Sequence, residues 1–130
     1  MSKTAPLKLL IVDDHAALRR TVRQLFDGPG VTILEASSGE EAVKLFGAEH
    51  PDWVVMDMRM PGMGGLKATE TLRRLDPAAR VIVISQFTDA EYVEQARSAG
   101  ALEFVNKEEL ALLPQIIRRP NAQLQENSGL

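Results

Sequence analysis

With 130 residues, 45% of them hydrophobic and 25% charged, the chain has the make-up of one globular domain with a sizeable core. A net charge of −3 argues against nucleic-acid contact by this domain, and no apolar run approaches the ~20 residues of a membrane span. Cysteine is absent, which excludes disulfides and thiolate metal sites, and Met1 to Pro6 lead into strand-like sequence without a secretory pattern, so the expected compartment is the cytoplasm.

Leu7-Lys8-Leu9-Leu10-Ile11-Val12 reads as a first buried strand ending in Asp13-Asp14. Leu18, Val22, Leu25 and Phe26 then recur at helical spacing, with Arg19, Arg20 and Arg23 among the outward positions, until Gly28-Pro29-Gly30 ends the helix. Val31 to Ala36 is the second strand. Ser37-Ser38 offers a helix cap, with Glu40-Glu41 in the first turn, where the helix dipole favours carboxylates. Ala42, Val43, Leu45 and Phe46 supply that helix's buried face, and His50-Pro51 stops it.

The third strand, Trp53 to Asp57, carries one carboxylate to its tip ahead of a loop from Met58 to Gly65. A third helix is predicted over Leu66 to Leu75, with Leu66, Thr69, Leu72 and Leu75 in phase. Val81-Ile82-Val83-Ile84 is the strongest strand signal and delivers Ser85. A fourth helix opens at Asp89-Ala90-Glu91 and runs to Ala99, with Gly100 as its C-cap. Leu102 to Val105 forms a short fifth strand leading to Asn106-Lys107. A last helix carries Leu110, Leu113, Ile116 and Ile117, with Pro114 marking its first turn. Residues 120–130 read as a linker or disordered tail.

Strict βα alternation, five times over, predicts an α/β fold: a doubly wound five-stranded parallel sheet, flavodoxin-like, with strand order 2-1-3-4-5. In that order the first and third strands are neighbours at the switch point, so Asp13, Asp14 and Asp57 converge. Three carboxylates at close range need a proton or a cation, and with oxygen ligands alone Mg²⁺ is the natural ion. Ser85 and Lys107 flank the same spot with a hydroxyl and a positive charge that suit a phosphoryl group. Asp57 is then the candidate nucleophile for an aspartyl phosphate, with the metal and Lys107 neutralising charge on the phosphoryl oxygens.

Val12-Asp13-Asp14, Met56 to Gly65, Ile84-Ser85 and Phe104-Val105-Asn106-Lys107 follow one another in an order that resembles the receiver domain of bacterial two-component response regulators. The resemblance covers residues 7 to about 119, and the receiver is taken as 1–119. It implies transfer of a phosphoryl group from a histidine of a sensor histidine kinase, or of a phosphotransfer protein, to Asp57. It implies Asp13 and Asp14 as Mg²⁺ ligands beside Asp57, with the backbone carbonyl of Arg59 as a further one. It also implies Ser85 and Phe104 as the switch pair, and a signalling switch whose only chemistry is its own phosphorylation and dephosphorylation. Homodimerisation through the face of the fourth helix, fifth strand and fifth helix is one output. A helix-turn-helix DNA-binding domain beyond the linker is another, suggested by the Asp13-Asp14-His15 start.

The sequence departs from the family's commonest pattern at two places. Glu108 stands where many receivers have proline after the lysine, so a trans peptide is expected there. Gln86 and Phe87 follow Ser85, and their bulk is expected to restrict access to a phosphate.

Taken singly, these residues have plainer explanations: Asp14 as a helix N-cap, Asp57 as a turn residue, Ser85 as a locally bonded serine, Lys107 as a solvated lysine. Their coincidence on separate strand ends of one edge favours the site. His15 and His50 read as structural, since His15 lacks a partner at ligand spacing, and the methionines read as packing. Two alternatives stay open: a haloacid-dehalogenase-type phosphatase and a flavin-binding module of the same topology. Arg59 occupies the place of the former's second aspartate. Two carboxylates occupy the place of the latter's phosphate loop.

Overall fold

Apolar runs too short for helices pair here into one sheet, and the amphipathic segments between them cover its two faces. The computed structural model describes residues 6–118. In chain order the elements are β1 (Leu7–Val12), α1 (Ala16–Leu25), β2 (Val31–Ala36), α2 (Gly39–Glu49), β3 (Trp53–Asp57), α3 (Gly65–Leu75), β4 (Val81–Ser85), α4 (Ala90–Ala99) and β5 (Glu103–Asn106). A 3₁₀ segment, Lys107–Leu112, then leads into α5 (Leu113–Ile117). All strand pairs are parallel, in the order β2-β1-β3-β4-β5.

Alternation along each strand divides the core in two. Leu9 and Ile11, Val55, Ile82 and Ile84, and Val105 pack with Val22 and Phe26 of α1 and Leu113, Ile116 and Ile117 of α5. Leu10 and Val12, Val54 and Met56, and Val81 and Val83 pack instead with Ala42 and Phe46 of α2, Ala68 and Leu72 of α3, and Ala96 of α4. Buried on both faces, β3 and β4 are apolar up to their polar tips, and β1 is interrupted only by Lys8, as suits interior parallel strands.

The same alternation sets what emerges at the carboxyl edge. Asp13, Asp57 and Lys107 each lie two residues beyond a core residue of the α1/α5 side (Ile11, Val55 and Val105), so they leave the sheet on that side. Ser85 follows Val83 by two, and Phe104 is the register partner of Val83 and packs against the other cluster. Strand alternation therefore assigns Asp13, Asp57 and Lys107 to one face of the sheet and Ser85 and Phe104 to the other.

Local signals behave as their chemistry dictates. Ser38 caps α2 by accepting the Glu41 N–H at 3.1 Å, while the Glu41 carboxylate accepts the Ser37 N–H at 2.8 Å. His50 ends α2 in the left-handed region, at φ 51°, and Gly100 ends α4 the same way at φ 107°. Pro114 lies in the first turn of α5, where its missing N–H costs no hydrogen bond. The Lys107–Glu108 peptide is trans.

Four expectations need correction. Helix α3 starts one residue early, at Gly65, and Leu75 lies 59% exposed at its last turn; Ala68 supplies the buried contact instead. Strand β5 is shifted by one, to Glu103–Asn106, because its ladder pairs Asn106 with Ser85. The last helix is not regular: a 3₁₀ segment, Lys107–Leu112, itself kinked at Glu109 (φ −124°, ψ 33°), precedes a short α5. Asp14 is not a helix cap; His15 holds the N-cap position of α1 without a side-chain cap bond, and the Asp13 carboxylate takes its backbone N–H instead. The tail assigned to 120–130 lies outside the described residues.

Candidate functional site

Strands β1 and β3 are adjacent and in register from Leu9↔Trp53 to Val12↔Met56, so the residues that follow, Asp13 and Asp57, leave the sheet side by side. Asp13 is fully buried and Asp57 nearly so, an arrangement costly for ionised carboxylates without compensation. Lys107 supplies part of it, with Nζ 3.1 Å from Asp57 Oδ1 and 3.2 Å from Asp13 Oδ2. Its own position is fixed by a small turn, in which the Asn106 side-chain oxygen accepts the Glu108 N–H at 2.9 Å.

The electrostatics follow from this packing. Burial, reinforced by the neighbouring Asp13 charge, pushes the Asp57 carboxyl up to about 6, against the opposing pull of Lys107. Burial works to depress the Lys107 ammonium, but the bonds to Asp57 and Asp13 prevail and raise its pKa. The pair therefore favours the charged form of Lys107 but does not fully offset what burial costs the Asp57 carboxylate.

The β1 end of the site is braced from outside. Arg19 Nη1 donates to the Asp13 carbonyl oxygen at 2.6 Å while its Nε donates to Glu35 at 2.7 Å. Arg23 bonds the second Glu35 oxygen at 2.7 Å. The bonds from Arg19 and then Arg23 hold the Glu35 carboxyl below the usual carboxylate range. Two arginines read as outward positions therefore clamp β2 and the Asp13 backbone together.

Asp14 Oδ1 is buried without a hydrogen-bond donor, and Asp13 Oδ2 is buried with only the Lys107 ammonium, 3.2 Å away, against it. Donor atoms of Asp13, Asp14, His15 and Asp57 all lie within 4.8 Å of one another. Buried acceptor oxygens gathered this closely fit a hard divalent cation, whose charge would replace the missing donors. His15 belongs to this cluster: its Nδ1 lies 3.1 Å from Asp13 Oδ1 and 3.2 Å from Asp14 Oδ1. Its partners are the residues immediately before it, brought round by the turn after β1, so a search for ligand spacing along a helix does not find them.

Beside the carboxylates lies a cavity of ≈ 220 Å³ lined by His15, Asp57, Arg59, Ser85, Gln86, Phe87 and Lys107. Ser85 Oγ accepts the Phe87 N–H at 2.9 Å, which leaves its own proton free to be donated elsewhere. Arg59 forms one wall: its guanidinium lies 4.7 Å from the Phe87 ring centroid and 5.1 Å from that of Tyr92, and donates to the Tyr92 hydroxyl at 2.9 Å. Tyr92 belongs to α4, so this stack joins the β3–α3 loop to that helix. No periodicity marks this contact, which spans 33 positions. Met58 and Met60 are buried beneath the loop, consistent with packing.

The structure thus brings Asp13, Asp14, Asp57 and Lys107 together and places Ser85 and Arg59 on the adjoining cavity. Phe104 is half-buried two residues below Asn106, on the opposite sheet face from the acid cluster.

Residues 9–118 match the family described as the response regulator receiver domain. The nitrate/nitrite response regulator protein NarL of Escherichia coli (strain K12) is 36% identical over 110 residues, which is 83% of this chain and 51% of that protein. Among solved structures, a two-component response regulator of the LuxR family from Aurantimonas sp. SI85-9A1 superposes with a TM-score of 0.82 at 34% identity. That match covers 94% of this chain and 87% of the other. A chain of the CheX-CheY-BeF3-Mg+2 complex from Borrelia burgdorferi gives a TM-score of 0.79 at 32% identity, covering 85% and 86%. The chain spans about half the length of the first curated relatives it matches. Among the described residues no helix is long and apolar enough to cross a membrane.

Proposed function

The chain belongs to the response regulator receiver family, a family of signalling switches in two-component systems, and we propose that its own switch is thrown by phosphorylation of Asp57. The observation that carries this reading is the Lys107 ammonium lying 3.1 Å from Asp57 and 3.2 Å from Asp13 at the mouth of an open cavity. A carboxylate nucleophile, a fixed cation and room for a tetrahedral group meet there. The same family membership gives no support to a phosphatase of the haloacid dehalogenase type or to a flavin module.

The phosphodonor is a phosphohistidine of a sensor kinase or phosphotransfer protein. An Asp57 carboxylate oxygen attacks phosphorus, a P–O bond forms as the P–N bond breaks, and the leaving imidazole keeps the bond's electron pair and takes up a proton. Lys107 turns from the carboxylate toward a phosphoryl oxygen. The Ser85 hydroxyl, already accepting from Phe87, donates its unused proton to another. Mg²⁺ would be held by Asp13, Asp14, Asp57 and the backbone carbonyl of Arg59, and would there neutralise charge on the phosphoryl oxygens. Water later hydrolyses the aspartyl phosphate, restoring Asp57 and releasing inorganic phosphate.

Movement of Ser85 toward the phosphate leaves space on the opposite sheet face, into which Phe104 turns. The surface of α4, β5 and α5 changes with it, and a partner reads that surface. Homodimerisation through this face is one form of output. Control of transcription through a further domain is another, in keeping with relatives about twice the chain's length. The receiver itself, with its net charge of −3, makes no direct nucleic-acid contact, and it works in the cytoplasm where its kinase presents the phosphohistidine.

Intact-protein mass after incubation with acetyl phosphate tests the reading. We expect gain of one phosphoryl group that requires Mg²⁺ and is abolished in Asp57→Asn. Gain that is indifferent to both overturns it.

A further inference from the structure

His15 takes no part in the phosphoryl chemistry just described, yet its ring nitrogen lies among the buried oxygens. Its backbone N–H is pinned to Asp13 Oδ1 at 2.8 Å, which fixes where the ring can reach. From there Nδ1 stands 3.1 Å from Asp13 Oδ1 and 3.2 Å from Asp14 Oδ1. Octahedral coordination with bonds of ~2.1 Å puts neighbouring donor atoms about 3.0 Å apart. Both separations, the first of them a hydrogen-bond contact between the ring and Asp13, also match adjacent corners of one coordination octahedron. Of these two oxygens, Asp14 Oδ1 is buried with no hydrogen-bond donor of its own, while Asp13 Oδ1 also accepts the His15 backbone N–H. The imidazole is otherwise 71% exposed, so it can stay in the cluster or swing away without disturbing the core.

We propose that His15 makes this cation site a mixed nitrogen–oxygen site, able to hold a divalent first-row transition ion through its imidazole as well as Mg²⁺ through oxygens alone. The inference rests on the cation site proposed above and extends it to the choice of ion. An imidazole nitrogen adds little to the binding of Mg²⁺, which prefers hard oxygen donors, whereas it is a strong ligand for Co²⁺, Ni²⁺ and Zn²⁺. His15 would therefore set metal preference without touching the phosphoryl group. The chain's only other histidine, His50, ends α2 and cannot substitute for it, because that helix terminates at the opposite edge of the sheet, just before β3.

The test uses the full, unphosphorylated chain, with Co²⁺ and Mg²⁺ as probes, comparing the unmodified protein with His15→Ala and His15→Asn after circular dichroism has shown all three folded. Calorimetric titration gives the affinities, and proton NMR of the Co²⁺-loaded protein reports hyperfine-shifted imidazole ring signals. We expect those signals in the unmodified protein and their loss in both variants, with Co²⁺ affinity falling about tenfold or more while that for Mg²⁺ stays within about twofold. Co²⁺ binding without a shifted imidazole signal overturns the proposal. So does an equal loss of affinity for both ions, which would mean that His15 only positions the aspartates. Failure of both ions to bind any of the three proteins would instead remove the cation site itself, and with it the Mg²⁺ part of the proposed function.

Discussion

Asp57 is held in conflict with its surroundings: a carboxylate buried beside a second buried carboxylate, with one ammonium shared between them. Its pKa, raised to about 6, lies above that of the unfolded chain, so the native state holds the extra proton. That contribution to stability is present at low pH and disappears as pH climbs from about 4 through about 6. Asparagine at position 57 mimics the protonated carboxyl and cannot ionise. With a chelator present, Asp57→Asn is expected to match the unmodified protein near pH 4 and to exceed its stability by about 1–3 kcal/mol above pH 7. Urea denaturation at both values checks it. A variant less stable than the parent above pH 7 would show that the Lys107 pair outweighs burial. Which acids converge could be read from the sequence, because each sits at a strand tip. The placing of His15 and Arg19 could not, because it depends on a turn and on a cross-strand partner that no periodicity marks.

Two connections shape the site at the level of elements. The β3–α3 loop must bring α3 back over the sheet at once, and Gly65 makes that possible: a Cβ there would collide with the Asp57 carbonyl oxygen, and the Gly65 N–H bonds the Met58 carbonyl at 3.1 Å. The obstacle is backbone, which cannot step aside. Gly65→Ala is expected to cost about 3 kcal/mol in chemical denaturation. A cost below about 0.5 kcal/mol, the range of ordinary surface changes, would contradict the packing described. The second connection, β4–α4, carries Phe87 onto the cavity beneath the Arg59 guanidinium. Phe87→Ala opens that wall to water, and the aspartyl phosphate should hydrolyse about threefold faster, a barrier change of about 0.65 kcal/mol. Equal decay rates in a phosphate-release assay would dismiss Phe87 as a barrier. Strands and their order were legible because interior parallel strands are near-continuous apolar runs. The segment after β5 was not, because Leu110, Leu113, Ile116 and Ile117 keep helical spacing while the backbone turns through a 3₁₀ stretch kinked at Glu109.

Across the whole molecule, a period of two residues does most of the organising. It sends Asp13, Asp57 and Lys107 to the side of α1 and α5 and leaves Ser85 and Phe104 with the side of α2, α3 and α4. On the proposed function, a phosphoryl group drawing Ser85 toward Asp57 would transmit its effect through the sheet to the opposite face. Hydrogen exchange on the phosphorylated protein is expected to change most in α4 and β5 and least in the core of β1 and β3, where opening requires global unfolding. Changes confined to α1 and the β1–α1 turn would instead point to an output on the acid side. This division was implicit in the sequence, since strand alternation alone assigns each face. The stack of Arg59, Phe87 and Tyr92 that ties the cavity wall to α4 emerged only in three dimensions.

The central claim is that Asp57 itself becomes phosphorylated, and borohydride trapping tests it most directly. After incubation with acetyl phosphate and Mg²⁺, reduction converts an aspartyl phosphate to homoserine, and peptide mass spectrometry locates the product. The account predicts homoserine at position 57 alone, absent when Mg²⁺ is omitted. Homoserine at Asp13 or Asp14 in place of Asp57, or phosphate retained on a residue that borohydride does not reduce, would contradict it.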